Sequence, residues 1–144
     1  MNLEQIKKEV VALALECGAF MQKEAESFDY SKVELKGKND LVSYVDKELE
    51  IMIATRLKEV LPEAGFITEE GTQKVDNNPL KWVIDPLDGT TNFIHGLPVY
   101  CTSIALIDAN ELLVGVVYEP SRNECFHAHK GGGAFCNDKR IHVS

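Results

Sequence analysis

The sequence predicts an α+β fold in which two long N-terminal helices pack on an antiparallel β-sheet. Two stretches within residues 1–60, Leu3–Met21 and Leu41–Val60, carry apolar side chains at helical spacing, with charged residues mostly on the opposite side. Residues 99–143 instead form short β-prone runs separated by turn residues. Because the links between these runs are too short for crossover helices, neighbouring strands should be antiparallel. Helices followed by strands in this way indicate a sheet covered by a helical layer.

The length and composition favour one domain, residues 1–144, with a single core. The chain has 144 residues, of which 44% are apolar. Its net charge of −8 argues against a general affinity for nucleic acid or an anionic membrane. No apolar run approaches a membrane span, and Met1 leads into an acidic amphipathic stretch rather than a signal peptide. Four cysteines without Cys-x-x-Cys spacing should stay reduced, which indicates a cytoplasmic protein: Cys17, Cys101, Cys125 and Cys136.

Two helices should begin the chain. The first is marked by apolar residues three and four positions apart, namely Leu3, Ile6, Val10, Leu13, Cys17, Phe20 and Met21. Residues 27–40 lose that pattern, so we expect a short extended piece and then a loop over Lys36–Asp40. The second helix should run from about Leu41 to Val60, because Pro62 ends its pattern. Asp46 lies beside the inner stripe of this helix rather than opposite it.

Two apolar runs in the middle of the chain predict short strands that lead directly into acids. Gly65–Thr68 is followed at once by Glu69 and Glu70, and Trp82–Ile84 is followed by Asp85. Acids in these positions stand at strand ends, where active sites often lie. Four later runs complete the predicted antiparallel sheet: Val99–Ile107, Leu112–Glu119, Asn123–His129 and Ala134–Val143.

The turn from Asp85 to Thr90 has the sequence Asp-Pro-Leu-Asp-Gly-Thr. Proline cannot donate to a ladder and holds the preceding residue extended, so Asp85 should be the last residue of its strand. Asp88 follows across the turn, and Gly89 and Thr90 should open a short helix whose first N–H groups are unpaired. Carboxylates can bind cations and backbone N–H groups can bind anions, so a turn that has both could bind a phosphate together with a metal ion. The alternative is a solvated β-turn, which the sequence Pro-x-Asp-Gly also favours.

The stretch Trp82–His95, which reads Trp-Val-Ile-Asp-Pro-Leu-Asp-Gly-Thr-Thr-Asn-Phe-Ile-His, resembles the metal-binding signature of the inositol monophosphatase family. Members are magnesium-dependent, lithium-sensitive phosphomonoesterases. Three other segments are similar to the family. Asp40–Asp46 resembles the start of its second helix, Glu69-Glu70 resembles its Glu-Glu element, and the tail from Gly131 to Ser144 resembles the family at the same point.

The resemblance implies a role for each of these residues. The ligands of Mg²⁺ would be Glu69, Asp85, the carbonyl of Leu87, and Asp88. The Thr90 hydroxyl, paired with Asp46, would orient the attacking water, and Glu69 would serve in catalysis as a ligand of the metal that activates it. The amides of Gly89 and Thr90, together with Asp88, would contact the substrate. Lys36 would lie on a mobile arm near the metals. Without the resemblance, Asp46 and Lys36 would be interpreted as solvated side chains.

Convergence of Glu69, Asp85 and Asp88 would require cations. Each close pair of like charges costs about 4 kcal/mol at an effective dielectric constant near 20. Three pairs cost roughly 12 kcal/mol, which is comparable with the roughly 5–15 kcal/mol stability of a whole domain. Such a cluster must protonate, stay apart in water or bind cations. Ligation by carboxylates without Cys or His points to Mg²⁺.

The function that follows is Mg²⁺-dependent hydrolysis of a phosphate monoester, inositol monophosphate before others, by a metal-activated water. The resemblance implies a homodimer that acts on a small molecule, with neither nucleic acid nor a membrane as partner. Three alternatives stay open: a sugar bisphosphatase, a nucleotide 3′-phosphatase, or a non-catalytic metal-binding or dimerising module of the same fold.

The chain departs from the family in its length. Members are considerably longer, and their second half carries a Trp-Asp-x-Ala-Ala-Gly element whose aspartate completes the second metal site. Nothing in this sequence matches that element. The resemblance therefore covers the N-terminal half of the family's layered αβαβα fold, and the C-terminal substrate domain is absent. We expect the chain to be a piece of a longer enzyme rather than a natural half-length protein.

Overall fold

The computed structural model describes residues 1–27 and 38–144, with side chains described for residues 1–27 and 44–144. Helix α1 spans Leu3–Ser27 and helix α2 spans Lys38–Val60, and the two pack side by side. Helix α2 thus begins before the predicted Leu41 and ends at Val60, as predicted. Most of the predicted stripe on α1 is buried, at Ile6, Val10, Leu13, Cys17 and Met21. Lys36 and the predicted extended piece before it lie outside the described residues.

In the described part of the chain, seven strands form one sheet whose spatial order follows the chain order. They are β1 (Gly65–Thr68), β2 (Leu80–Asp88), β3 (Cys101–Asp108), β4 (Glu111–Glu119), β5 (Glu124–His129), β6 (Gly133–Cys136) and β7 (Lys139–Ile141). Strands β3 to β7 form the predicted antiparallel meander, and β2 joins it as a further antiparallel strand. The predicted run Ala134–Val143 is two strands rather than one, because the chain turns between Cys136 and Lys139 and pairs β6 with β7. Strands β1 and β2 are parallel, so the sheet is mixed at this edge. The predicted α+β class, with two helices packed on a sheet, is confirmed.

Strand β2 continues through Pro86 to Asp88, so the prediction that Asp85 ends its strand is wrong. Asp85 pairs with Ser103 and Asp88 pairs with Cys101, so β2 contains one more residue than β3 across this segment. The extra residue forms a β-bulge, where the missing N–H of proline costs no ladder hydrogen bond. Because a bulge bends the strand locally, both aspartates lie on one tight bend.

The core lies between the helices and one face of the sheet. Its largest wholly buried side chains come from both layers: Leu13, Met21, Leu49, Ile53, Leu57, Trp82, Phe93, Ile104 and Leu106. Helix α1 approaches β4 closely at Gly18, where a Cβ atom would lie 2.2 Å from the Tyr118 ring. Each large apolar side chain buried in this layer contributes about 1.5–3 kcal/mol. The core therefore fixes α2 against the strands that carry the acids.

The sheet face opposite the helices is partly open. Val117 and Phe126, which pair across β4 and β5, are exposed there. They border an apolar hollow of about 340 Å³ whose lining includes no acid. None of the described helices has the length and apolar character that a membrane crossing requires.

Candidate functional site

Glu69 and Asp85 lie side by side at the end of β1. Thr68, the last residue of β1, pairs with Ile84 in parallel register, so Glu69 emerges next to Asp85, which lies within β2. Burial, then a hydrogen bond to Glu69 and the charges of Glu69, Asp88 and Glu70, together raise the pKa of Asp85 to about 7. One carboxylate oxygen of Asp85 is buried without a hydrogen-bond partner. The structure therefore brings these two predicted site residues together.

Asp46 on α2 faces the same group of acids. Its side chain is only 6% exposed, so the alternative of a solvated helix acid does not hold. Burial, followed by the charges of Glu70, Glu69, Asp85 and Glu50, together raises the pKa of Asp46 to about 7. Its Oδ1 atom is buried without a hydrogen-bond partner. Two buried carboxylate oxygens without hydrogen-bond partners, one on α2 and one on β2, therefore lie among like charges.

The end of β2 passes into a short helix, α3 (Thr90–Ile94), through Gly89. Gly89 has φ 94°, and a Cβ atom there would lie 2.7 Å from the Val99 carbonyl oxygen, so only glycine fits. The Thr90 hydroxyl donates a 3.0 Å hydrogen bond to the Leu87 carbonyl, which closes the turn. The predicted pairing of Thr90 with Asp46 is not among the hydrogen bonds of the described residues.

Asp88 is exposed and borders an open cleft of about 270 Å³. The cleft is lined by Asp88, Gly89, Asn92, Val99, Tyr100, Cys101 and Glu119. Asn92 donates a 2.9 Å hydrogen bond to the Val99 carbonyl, which fixes the segment after α3 along one wall. The cleft is smaller than the apolar hollow on the open sheet face, but it adjoins the acids, so we regard it as the candidate substrate cleft.

Glu50 on α2 is a residue of this region that the sequence reasoning missed. It is completely buried, and its carboxylate accepts hydrogen bonds from the loop that follows Glu69. The available signal was its position, one helical turn after Asp46 and next to Leu49 in the apolar stripe. An acid beside a buried stripe rarely lies inside unless it is paired.

The oxygen atoms of the site are the kind of ligand that a divalent cation binds. In the part of the chain that the structure describes, no three Asp, Glu, His or Cys side chains are gathered closely enough to hold a metal ion as they stand. The orphaned oxygens of Asp46 and Asp85, and the raised pKa of each, mark an uncompensated concentration of negative charge. Oxygen donors of this kind fit a hard cation such as Mg²⁺.

Carboxylates on α2, within β2 and directly after β1 lie together beside a bulged turn. This arrangement defines a class of protein in which a two-layer α+β domain gathers acids at one edge of its sheet. Residues 2–144 match the model of the inositol monophosphatase family. The chain belongs to that family.

Two relatives illustrate the match. The chain is 38% identical over 136 residues to the inositol-1-monophosphatase of Mesorhizobium japonicum, which covers 94% of this chain and 51% of the relative. It is 42% identical over 132 residues to the putative Nus factor SuhB of Neisseria meningitidis, covering 91% of this chain and 51% of the relative. The chain therefore spans about half the length of these relatives.

Solved structures agree in fold. Inositol monophosphatase from Anabaena superposes with a TM-score of 0.83 at 30% identity, covering 100% of this chain and 51% of that one. SaIMPase-II structures with bound 2′-AMP and with bound inositol monophosphate give TM-scores of 0.74 and 0.71, at 29% and 26% identity. Both matches cover 92% of this chain. They cover 49% of the chain with bound 2′-AMP and 48% of the chain with bound inositol monophosphate.

Proposed function

We propose that the chain is the metal-binding half of a Mg²⁺-dependent phosphomonoesterase that hydrolyses inositol monophosphate. The observation that carries the proposal is the adjacency of Glu69 and Asp85, with Asp46 buried near them. Membership of the inositol monophosphatase family supports it. The proposal includes lithium sensitivity, a cytoplasmic location and a homodimer, which the family resemblance suggests.

In the proposed site, Mg²⁺ would be held by oxygen atoms of Glu69, Asp85, Asp88 and the Leu87 carbonyl. Bound Mg²⁺ supplies a water of lowered pKa and neutralises charge on the phosphate. The Leu87 oxygen has two lone pairs, so it can accept from Thr90 and still act as a ligand. Asp85 Oδ1 is buried without a hydrogen-bond partner, which costs free energy. Coordination of Mg²⁺ by this oxygen would remove that cost.

The remaining residues position water and substrate. Asp46 has an unpartnered oxygen, and with the Thr90 hydroxyl it would orient the attacking water. The amides of Gly89 and Thr90, at the bend after β2, would donate to the phosphate oxygens beside Asp88. The cleft that begins at Asp88 offers space for the alcohol that carries the phosphate. The protein thus contributes mainly orientation and preorganised charge.

The substrate class rests on the chemistry shared by the related structures. SaIMPase-II binds inositol monophosphate and also 2′-AMP, and both ligands are monoesters of a ring hydroxyl. A phosphate monoester on a secondary alcohol is therefore the substrate class we propose. A sugar bisphosphate or a nucleotide 3′-phosphate remains an alternative within that class.

A second candidate function is a non-catalytic metal-binding or dimerising module. It is favoured by the similarity to SuhB of Neisseria meningitidis, a protein named as a putative Nus factor. A module of this kind would keep the fold and bind a partner protein without turnover. Its acidic charge of −8 favours a protein partner over direct contact with nucleic acid.

Phosphate release from inositol 1-phosphate by the complete gene product, with and without Mg²⁺, tests the proposal. We expect turnover only with Mg²⁺, and inhibition by Li⁺. A folded product that binds Mg²⁺ but releases no phosphate from inositol, sugar or nucleotide monoesters would favour the non-catalytic module.

A further inference from the structure

Glu50 is a completely buried acid on α2 whose three hydrogen bonds all go to the loop after β1. Oε1 accepts from the Glu70 amide at 2.9 Å. Oε2 accepts from the Thr72 amide at 3.0 Å and from the Thr72 hydroxyl at 2.5 Å. We propose that Glu50 is a positioning residue that holds Glu69 beside Asp85. The inference rests on the proposed function, because it concerns the metal-binding role of Glu69.

The backbone on both sides of Glu69 is fixed by different elements. On one side, Thr68 is the last residue of β1 and pairs with Ile84. On the other side, the amide of Glu70 is bonded to Glu50. Glu69 itself is exposed, so burial does not hold its side chain in place. The direction in which Glu69 leaves the sheet is therefore set by the β1 ladder and by Glu50 together.

The loop is shaped to present two amides to one carboxylate. Gly71 has φ 70°, a conformation that glycine adopts without strain. This turn places the amides of Glu70 and Thr72 within reach of the two oxygens of Glu50. Glu50 also lies one helical turn from Asp46, so both side chains project from the same side of α2. One helix thereby sets the position of Asp46 and, through Glu50, the position of Glu69.

Holding a loop with a buried carboxylate is energetically unfavourable. Taking a carboxylate out of water costs several kcal/mol even after the protein relaxes. In the described residues no lysine or arginine forms a salt bridge with Glu50. The three hydrogen bonds that the Glu50 carboxylate accepts compensate this cost. Glutamine cannot replace Glu50, because its side-chain NH₂ group would face one of these N–H or O–H donors. The arrangement is explained if the loop must be held in one geometry for chemistry.

The Glu50→Gln variant of the complete gene product tests the inference, with Glu48→Gln as the matched control. Glu48 is exposed on the same helix, and its replacement removes the same charge. Loss of groups that support metal ligands weakens metal binding by about 10–100-fold. We therefore expect Glu50→Gln to raise the dissociation constant for Mg²⁺ at least about tenfold by calorimetric titration. Glu48→Gln should leave it unchanged.

A second readout needs no metal. In the metal-free protein, Glu50→Gln should shift the amide resonances of Glu69 and Asp85 in NMR spectra, whereas Glu48→Gln should not. Unchanged resonances and unchanged Mg²⁺ affinity in a folded Glu50→Gln protein would overturn the inference. If the wild-type protein binds no Mg²⁺, the proposed function fails, and the metal-free shifts still decide whether Glu50 positions Glu69.

Substitution of Thr72 keeps the inference testable if Glu50→Gln does not fold. Thr72→Val removes one of the three donors and preserves the shape of the side chain. It should shift the same resonances and weaken Mg²⁺ binding less than Glu50→Gln does. Thr72→Ser keeps the hydroxyl and should restore wild-type values. Equal behaviour of the valine and serine variants would show that the hydroxyl bond to Glu50 has no positioning role.

Discussion

Glu69 lies beside Asp85 because the strands that carry them, β1 and β2, are the one parallel pair in the described sheet. Because Thr68 pairs with Ile84 in parallel register, the residues that follow them, Glu69 and Asp85, are neighbours. The charge that this creates is visible in the raised pKa of Asp85, for which burial is the main cause and Glu69 the next.

Asp85→Asn in the complete gene product should abolish phosphatase activity and leave the fold intact. Loss of groups that only support metal ligands costs about 10–100-fold, so loss of the ligand itself should cost more. Because the variant also removes a buried charge with an orphaned oxygen, its metal-free form should be at least as stable as the wild type. Phosphate release and thermal unfolding measure the two effects. Asp108→Asn, an exposed acid at the end of β3, is the control. Near-normal turnover of Asp85→Asn would exclude the metal assignment.

Thr90→Ala should lower kcat much more than it raises KM, because the hydroxyl is proposed to act on the attacking water. Thr90→Ser should retain most of the activity. The structure also gives Thr90 a local role, since its hydroxyl bonds the Leu87 carbonyl. A change confined to KM, or to thermal stability, would mean that Thr90 serves only to close the turn. Steady-state kinetics at saturating Mg²⁺ distinguish these outcomes.

Much of the fold followed from sequence because it depends on local patterns. The apolar stripe of α1 and the end of α2 before Pro62 follow from helical periodicity and from the effect of proline. The antiparallel meander follows from short loops between β-prone runs. Pro86 was misjudged for a physical reason. A proline ends a regular ladder, but a bulge has no need of its N–H, and the presence of a bulge depends on the partner strand β3.

The site was harder to predict because it depends on contacts between distant segments. The sequence placed Glu69 and Asp85 after strands, but only the parallel pairing of β1 with β2 makes them neighbours. The burial of Asp46 depends on how α2 lies against the sheet, which helical periodicity does not specify. Glu50 was missed because its partners, Glu70 and Thr72, are 20 and 22 residues further along the chain.

The stability of the metal-free chain should fall as pH rises from about 5 to about 8. Burial, together with the neighbouring carboxylates, raises the pKa of Asp46 and that of Asp85 from 3.8 to about 7. Between these values the native state binds more protons than the unfolded state, so the free energy of unfolding decreases with rising pH. One unit of pKa is about 1.4 kcal/mol, but Asp85 is only partly buried and solvent screens its interactions, so the total effect is smaller than the full shifts would give, on the order of one to a few kcal/mol. Urea unfolding in EDTA at several pH values measures it.

The matched comparison for this pH effect is Asp46→Asn, which should unfold with a flatter pH dependence. Saturating Mg²⁺ should stabilise the wild-type protein more at pH 8 than at pH 5, because the cation binds the ionised acids. Stability that rises between pH 5 and pH 8 in the metal-free wild type, with the same slope in Asp46→Asn, would contradict the assignment of these raised pKa values.

The open face of the sheet should make the 144-residue chain self-associate. Val117 and Phe126 are exposed next to each other there, beside an apolar hollow. Phe126→Ser should reduce concentration-dependent association in sedimentation experiments, because it removes exposed apolar surface from this face. Val75→Ser, an exposed loop residue away from this face, should have no effect. Equal association of both variants and the wild type would exclude the open face as the contact.

The 144-residue chain alone should have weak or no phosphatase activity and loosened Mg²⁺ binding. Mg²⁺ requires near-octahedral oxygen ligation and gives up its waters reluctantly, so each carboxylate in the set matters. In the chain as it stands, Asp88 is exposed and no three acids of the described residues converge on one point. The cleft beside Asp88 is open, so a bound monoester would be poorly oriented for attack. Assay of the purified chain against inositol 1-phosphate, with and without Mg²⁺ and with Asp85→Asn as the inactive control, tests this directly. Robust Mg²⁺-dependent turnover that Asp85→Asn removes would show that these residues suffice, alone or as a dimer, and that no further carboxylate is needed.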